Sequence, residues 1–212
     1  YGEYKQKEIN LLALLLSNNV GDTFVYDVGA GIGTRTVALS KMAAVIAFEH
    51  DEDKLKVLKM NTQGKIAPNV MIVPKSLETT DPHAKDIPNL DGQLMQLPEP
   101  TLVCISGDST RVLRGMTATM MLIKPVIYID IANTEDISYQ YSILVERGYK
   151  MYWYSCPGFN LNNFKEKQLN ITADSFYMNI LAIHEDVDIH DGGIDLPRID
   201  GPNDNWKRFN ND

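Results

Sequence analysis

Apolar positions along this chain switch repeatedly between two periods. Over residues 4–18, Ile9, Leu12, Leu15 and Leu16 recur at helical spacing and predict an amphipathic helix. Residues 23–28, Thr-Phe-Val-Tyr-Asp-Val, form a β-branched and aromatic run that reads as a buried strand. Helical periodicity returns over 34–42. Residues 44–49 predict a second strand, and a helix begins at Asp51 through Leu55, Val57 and Leu58. Residues 69–73 predict a third strand. An irregular stretch follows at 78–100, with Pro82, Pro88, Pro98 and Pro100, and its length suits a border of a substrate site. Further strands are predicted at 101–105 and 125–130, and helices at 111–121 and 137–147, the last stopped by Gly148. Residues 149–154 and 176–183 predict a closing antiparallel pair. No internal repeat is visible.

Strands alternating with helices predict an α/β fold, a mostly parallel seven-stranded sheet with helices on both faces. Ligands of such sheets lie at the carboxyl ends of the strands. The expected domain is 1–184. The polar, Gly- and Pro-bearing residues 185–212 read as an irregular tail that Trp206 and Phe209 can pack down.

Composition narrows the classes. The chain has 212 residues, 44% hydrophobic and 23% charged, which suits one domain with a substantial core. Its net charge of −8 and lack of a basic run argue against a nucleic-acid partner. Cys104 and Cys156 lie far apart in strand contexts and read as buried free thiols of a reducing compartment. No apolar run is long enough to span a membrane, no signal peptide is visible, and the expected location is cytoplasmic. The chain begins at Tyr1, as an excised domain of a longer polypeptide or a trimmed chain would.

The chemistry concentrates at Asp27-Val28-Gly29-Ala30-Gly31-Ile32-Gly33-Thr34. Strand, glycine turn and helix form a nucleotide-binding corner, in which glycines let the backbone approach a ligand. The spacing is D-x-G-x-G-x-G, not the dinucleotide G-x-G-x-x-G. An acid just before the glycines repels a pyrophosphate and welcomes a cationic amino group. Glu49 ends the second strand, where an acid accepts ribose hydroxyls. Together these resemble motif I and its partner acid in class I S-adenosylmethionine (SAM) methyltransferases. The expected cofactor is SAM.

The resemblance extends to the FkbM family of SAM-dependent O-methyltransferases over nearly the whole chain. It is carried by the opening Tyr1-Gly2-Glu3-Tyr4, by VYDVGAGIGT, and by AFEHDEDKLKVLKMN, with His50 where the family usually has proline. Asn89-Leu90-Asp91, Val112-Leu113-Arg114-Gly115, KPVIYIDI, ERGY, the Asn160, Asn162, Asn163, Phe164 region and MNILAIHED continue it. The resemblance implies cofactor contacts at Glu3, Asp27, Gly29, Gly31, Gly33, Thr34, Glu49, His50, Ser76 and Ser106. It implies methylation of a sugar hydroxyl, with a deoxyhexose such as rhamnose a typical acceptor. More narrowly, it suggests the methyltransferase domain of a larger virus-encoded glycan-assembly protein, fused to glycosyltransferase domains and working in the host cytoplasm. One departure matters. The family's D-V-E-G after the fourth strand is Cys104-Ile105-Ser106-Gly107 here, so its two acids are absent. Either the catalytic acid has moved or the chain binds SAM without turnover.

A sugar hydroxyl must lose its proton to become a nucleophile, which needs a base or a metal. Asp108 is the first candidate base, or else an N-cap for the helix that follows. Asp130, at the end of the fifth strand, is the second, or else a loop anchor. His83, in the irregular stretch, is the third. His184, Asp186, Asp188, His190 and Asp191 form either a divalent-metal cluster or a solvated acidic tail. Tyr152, Trp153 and Tyr154 offer an aromatic platform, with at least one of them facing the core. Two rivals stand beside the sugar O-methyltransferase: a catalytically silent SAM-binding domain, and a nicotinamide-dependent oxidoreductase, against which the glycine spacing argues.

Overall fold

A computed structural model describes residues 5–17, 21–77, 89–94, 96–131, 136–160, 162–163, 166, 175–187 and 195–206. The strands are β1 (Phe24–Val28), β2 (Ala44–Phe48), β3 (Val70–Val73), β4 (Leu102–Ile105), β5 (Val126–Asp130), β6 (Tyr149–Pro157) and β7 (Phe176–His184). The helices are α1 (Gln6–Ser17), α2 (Thr34–Leu39), α3 (Glu52–Thr62), α4 (Leu90–Gln93), α5 (Ser109–Arg114) and α6 (Ser138–Val145). The seven strands form one sheet in the order β3-β2-β1-β4-β5-β7-β6. Neighbouring strands from β3 to β5 are parallel, and β7 runs antiparallel to both β5 and β6. The chain order reverses between β1 and β4, so a crevice opens there at the carboxyl ends.

Alternation along the strands sorts the core into two layers. Tyr26, Val28, Ile46, Phe48, Val103 and Ile105 point to one face and pack with Leu90 of α4, Val112 and Leu113 of α5 and Leu144 of α6. Val25, Val45, Leu102, Cys104 and Tyr128 point to the other, against Leu11, Leu12, Leu15 and Leu16 of α1 and Leu39 of α2. Leu55 and Leu58 of α3 cover Ala47 on that second face. Helices therefore cover both faces, as the alternation of periods predicts. Both cysteines are free and buried.

Two local differences have physical causes. The predicted irregular stretch 78–100 holds a short helix, α4, capped by the Asn89 side chain, which accepts from the Gly92 N–H. The predicted helix 111–121 is broken. α5 stops at Gly115, and a π-helical turn follows at Thr119–Ile123. Asp91 of α4 makes the break possible: its carboxylate accepts from the N–H groups of Ala118 and Thr119, both at 2.8 Å, and from the Thr119 hydroxyl at 2.7 Å. A carboxylate from a distant turn thus satisfies donors that a continuous helix would have used internally.

Beyond β7, the chain returns to the sheet edge. Trp153 N–H donates to the Pro197 carbonyl and Ile199 N–H to the Met151 carbonyl. Ile199 is buried and Trp206 packs on the core, so residues 197–199 cover the outer side of β6. Covering an edge strand removes its unpaired backbone groups from solvent. No helix among the described residues is long and apolar enough to cross a membrane.

Candidate functional site

The glycine loop leaves β1 at Val28. Gly29, Gly31 and Gly33 all have positive φ, but they are glycines for different reasons. A Cβ on Gly29 would lie 2.2 Å from the Ser106 carbonyl oxygen, so the ends of β1 and β4 approach more closely than any side chain permits. A Cβ on Gly33 would lie 2.6 Å from Leu58, which sets the packing of α3. A Cβ on Gly31 would meet nothing within 4 Å among the described residues. Gly31 therefore lines open space, as a loop shaped around a ligand would.

Glu49 sits one residue past β2 and is buried. One carboxylate oxygen, Oε2, accepts from Gly31 N–H at 2.9 Å. The other, Oε1, accepts from His50 N–H at 2.8 Å and Asp51 N–H at 2.9 Å. A carboxylate offers about four acceptor positions, so one remains, on Oε2. Glu49 thus ties the glycine loop to the start of α3, whose N-cap is Asp51. His50 is exposed, with its Nδ1 3.7 Å from Glu49. Ser76 lies half-buried beyond β3.

A cavity of about 340 Å³ opens beside the loop. It is lined among others by Lys5, Glu8, Asp27, Thr34, Arg35 and Asp130. Asp27, Ser106 and Asp130 reach it because each continues the alternation of Val25, Cys104 and Tyr128 on the face covered by α1 and α2. Asp27 does receive a cationic group, but one from the chain itself. Arg35, in the first turn of α2, donates to Asp27 Oδ1 through Nε at 3.0 Å and Nη2 at 2.8 Å. Thr36 donates to Oδ2 at 2.6 Å. The same guanidinium donates to Glu8 at 3.4 Å, Asp130 at 3.1 Å and Ser106 Oγ at 2.9 Å. Ser106 in turn donates to Asp130 Oδ2. Burial alone would lower the Arg35 pKa, but Asp27, Asp130 and Glu8 together hold the group charged.

Ser106 and Asp130 meet at the carboxyl ends of β4 and β5. The Ser106 hydroxyl carries the carboxylate of Asp130 from the next strand. Burial pushes the Asp130 carboxyl up, but Arg35, Lys5 and Ser106 outweigh it and hold the carboxyl below its ordinary value. Glu8 goes the other way. Burial raises its pKa, and the nearby Arg35 and Lys5 do not cancel the rise.

Asp108 stands apart from this network. Its side chain accepts from Arg111 N–H at 3.1 Å, capping α5, and pairs with Arg111 Nε at 3.0 Å. It does not line the cavity. Glu3 and His83 lie outside the described residues, as do Asp188, His190 and Asp191 of the suggested metal cluster. The other two cluster members are engaged elsewhere: His184 Nδ1 accepts from Asp186 N–H, and Asp186 pairs with Lys124. Among the described residues no three His, Cys, Asp or Glu gather as a metal site. Of the aromatic triplet, Trp153 is buried in one core layer, while Tyr152 and Tyr154 pack partly buried against the other.

Lys5, Glu8 and Arg35 join the site without belonging to any of the motifs. Arg35 does carry a signal: the first turn of a helix disfavours a cation, so an arginine there needs acids to hold it. Glu8 stands at the head of the buried stripe of α1, before Leu11 and Leu12, and a carboxylate on a buried helix face needs a similar explanation.

No protein-family model matches the chain, and no curated protein matches it. Solved structures do. A precorrin-6y C5,15-methyltransferase from Geobacter metallireducens is similar at 16% identity and a TM-score of 0.57, over 82% of this chain and 88% of that one. A magnesium protoporphyrin IX methyltransferase from Synechocystis, solved with bound SAM, is similar at 12% identity and a TM-score of 0.55, over 84% and 79%. The fold is that of the class I SAM-dependent methyltransferases. An FkbM methyltransferase from Methylobacillus flagellatus also matches, at 17% identity and a TM-score of 0.49, over 76% of this chain and 43% of that one. That likeness is too slight to choose among methyltransferase families.

Proposed function

We propose that this protein is a SAM-dependent O-methyltransferase whose acceptor is a sugar hydroxyl, a deoxyhexose such as rhamnose within a glycan. The observation that carries the cofactor is the open space at Gly31, where a Cβ would meet no atom of the described residues within 4 Å, beside the buried Glu49 carboxylate. The residues present fit the cofactor. The glycine loop passes under its amino-acid part, Glu49 accepts a ribose hydroxyl at its remaining acceptor position, and the charged cavity receives the methionine end. Thr34 lines the same cavity, and His50 and Ser76, which follow β2 and β3, are assigned to the cofactor by the motif resemblance. When bound, SAM supplies an activated methyl group.

The acceptor reading rests on the FkbM-like motifs and on charge. At −8 the chain repels polyanions and suits a neutral acceptor. For deprotonation, Asp130 is favoured over Asp108. Asp130 lines the cavity and keeps a quarter of its side chain exposed, whereas Asp108 caps a helix. Fusion to glycosyltransferase domains, a viral origin and a cytoplasmic setting belong to the same proposal. A second reading, a SAM-binding domain without turnover, is favoured by the engagement of both Asp130 oxygens with Arg35, Ser106 and Lys5.

The experiment is incubation of the chain with SAM and rhamnose-terminated glycans, read by mass spectrometry for methyl gain. Methylated glycan with S-adenosylhomocysteine as co-product is the expected result. Binding of S-adenosylhomocysteine without transfer to any hydroxylated acceptor favours the silent domain. Methylation of RNA that a competing sugar does not reduce overturns the acceptor.

A further inference from the structure

We infer that Glu8 of α1, not the motif acid Asp27, receives the α-ammonium group of the bound cofactor. The inference rests on the SAM-binding reading above and assigns one contact within that site.

The cavity is lined by three acids, Glu8, Asp27 and Asp130, and two cations, Lys5 and Arg35. Among the described residues these leave one negative charge in excess, which suits one further cation. The hydrogen bonds show which acid is left over. Asp27 accepts three, two from Arg35 and one from Thr36. Asp130 also accepts three, from Lys5 on Oδ1 and from Arg35 and Ser106 on Oδ2. Glu8 accepts only one, a long bond of 3.4 Å from Arg35 to Oε1. No hydrogen bond of good geometry reaches Glu8 Oε2, although the atom is buried. Lys5 Nζ stands 3.3 Å from it as an ion pair, while also facing Asp130 and the Tyr177 ring.

A buried carboxylate oxygen without a hydrogen bond is costly unless a ligand completes it. Burial raises the pKa of Glu8, Asp130 nearby adds to the rise, and Arg35 and Lys5 offset only part of it. The terminal torsion of glutamate is broad, so the carboxylate can tilt toward the cavity at little cost. Glu8 also sits where an amino group would arrive. It shares the cavity with Gly29 and Ala30, the first residues of the loop that passes under the cofactor's amino-acid part. Asp27 then has a positioning role: it holds Arg35, and through it the orientation of Glu8 and Asp130.

The test is calorimetric binding of S-adenosylhomocysteine and of its desamino analogue, which lacks only the α-amino group. The full chain and its Glu8→Gln variant are compared. The parent should bind S-adenosylhomocysteine about ten- to a hundredfold more tightly than the analogue, the worth of a hydrogen bond to a charged group. In Glu8→Gln that gap should shrink to a fewfold, with analogue affinity little changed. A gap that persists undiminished in Glu8→Gln overturns the assignment and leaves SAM binding standing. Failure of the parent to bind S-adenosylhomocysteine at all overturns both. If Glu8→Gln does not fold, Glu8→Asp reads the same contrast, because a carboxylate shortened by one methylene should narrow the gap. A gap in Glu8→Asp equal to the parent's overturns the assignment.

Discussion

Asp27 and Asp108 are both acids near the carboxyl ends of central strands, and both stand out in the sequence. Their surroundings are opposite. Asp27 is fully buried and holds Arg35 and Thr36 through three short hydrogen bonds. Asp108 keeps 40% of its side chain exposed, caps a six-residue helix and pairs with an Arg111 that is itself half in solvent. The difference lies in which way each residue points. Asp27 belongs to a strand and inherits its alternation, which turns it toward α1 and α2. Asp108 lies two residues beyond Ser106, in a turn, and its side chain bends back onto the backbone of its own helix. Position on the carboxyl edge of a sheet is therefore not enough to make an acid part of a site.

The comparison breaks first at the two arginines. Arg35→Met leaves Asp27 as an uncompensated buried charge, which costs about 3–5 kcal/mol. Arg111→Met removes an exposed pair worth about 0–1 kcal/mol. Urea denaturation of the two variants should therefore give very different midpoint shifts. Similar shifts would mean that the Asp27 network is no more integral to the fold than the Asp108 pair.

The glycine loop sharpens the contrast within a single motif. Gly29→Ala forces a methyl group to within 2.2 Å of the Ser106 carbonyl, at a φ of 73°. The left-handed conformation costs about 1–2 kcal/mol for an L-residue, and the backbone clash adds about 1–3 kcal/mol. Gly31→Ala carries the conformational cost alone, because its Cβ meets none of the described residues within 4 Å. Thermal unfolding should rank Gly29→Ala below Gly31→Ala. Affinity for S-adenosylhomocysteine should fall in Gly31→Ala, where the new methyl occupies ligand space. If Gly31→Ala binds like the parent, the ligand does not pass under this loop.

Much of this architecture was legible before any coordinates. The apolar runs at 23–28 and 101–105 did form strands, and the closing strands did pair antiparallel. The glycine spacing located the loop. What did not show was partnership across the sheet. Arg35 is eight residues from Asp27 but 95 from Asp130 and 27 from Glu8, and no local period joins them. The broken helix was hidden for the same reason: the Asp91 carboxylate that caps the Thr119 turn arrives from 28 residues away. Local pattern reports which face a residue takes, and the fold decides what meets it there.

Glu49 tests the proposed cofactor site more directly. Its carboxylate holds three backbone N–H groups, so Glu49→Ala should loosen the loop as well as remove an acceptor from the ribose. The loss of a hydrogen bond to a charged group predicts about 1.5–3 kcal/mol less affinity for S-adenosylhomocysteine by calorimetry. Unchanged affinity would move the ribose away from the end of β2. A parallel denaturation curve separates the two consequences, since the backbone contacts affect stability even without ligand.

The smallest expected effect is at Asp108, where a pair of substitutions distinguishes cap from base. As an N-cap, Asp108 accepts from Arg111 N–H. Asparagine caps about as well as aspartate, while alanine loses about 0.5–2 kcal/mol. A cap therefore predicts that Asp108→Asn leaves both stability and methyl transfer near parental, and that Asp108→Ala lowers the melting temperature by a few degrees with little change in rate per folded molecule. A general base predicts the opposite order of damage. Asparagine cannot take the proton, so Asp108→Asn would lose about 10²- to 10⁴-fold in rate at full stability. The geometry favours the cap, because the carboxylate already bonds its own helix and stands outside the cavity that Asp130 lines. Asp130→Asn, assayed alongside, should then be the variant that binds S-adenosylhomocysteine and fails to turn over. If Asp108→Asn is the silent one instead, the proton leaves on the α5 side of the crevice, and the network around Arg35 serves the cofactor alone.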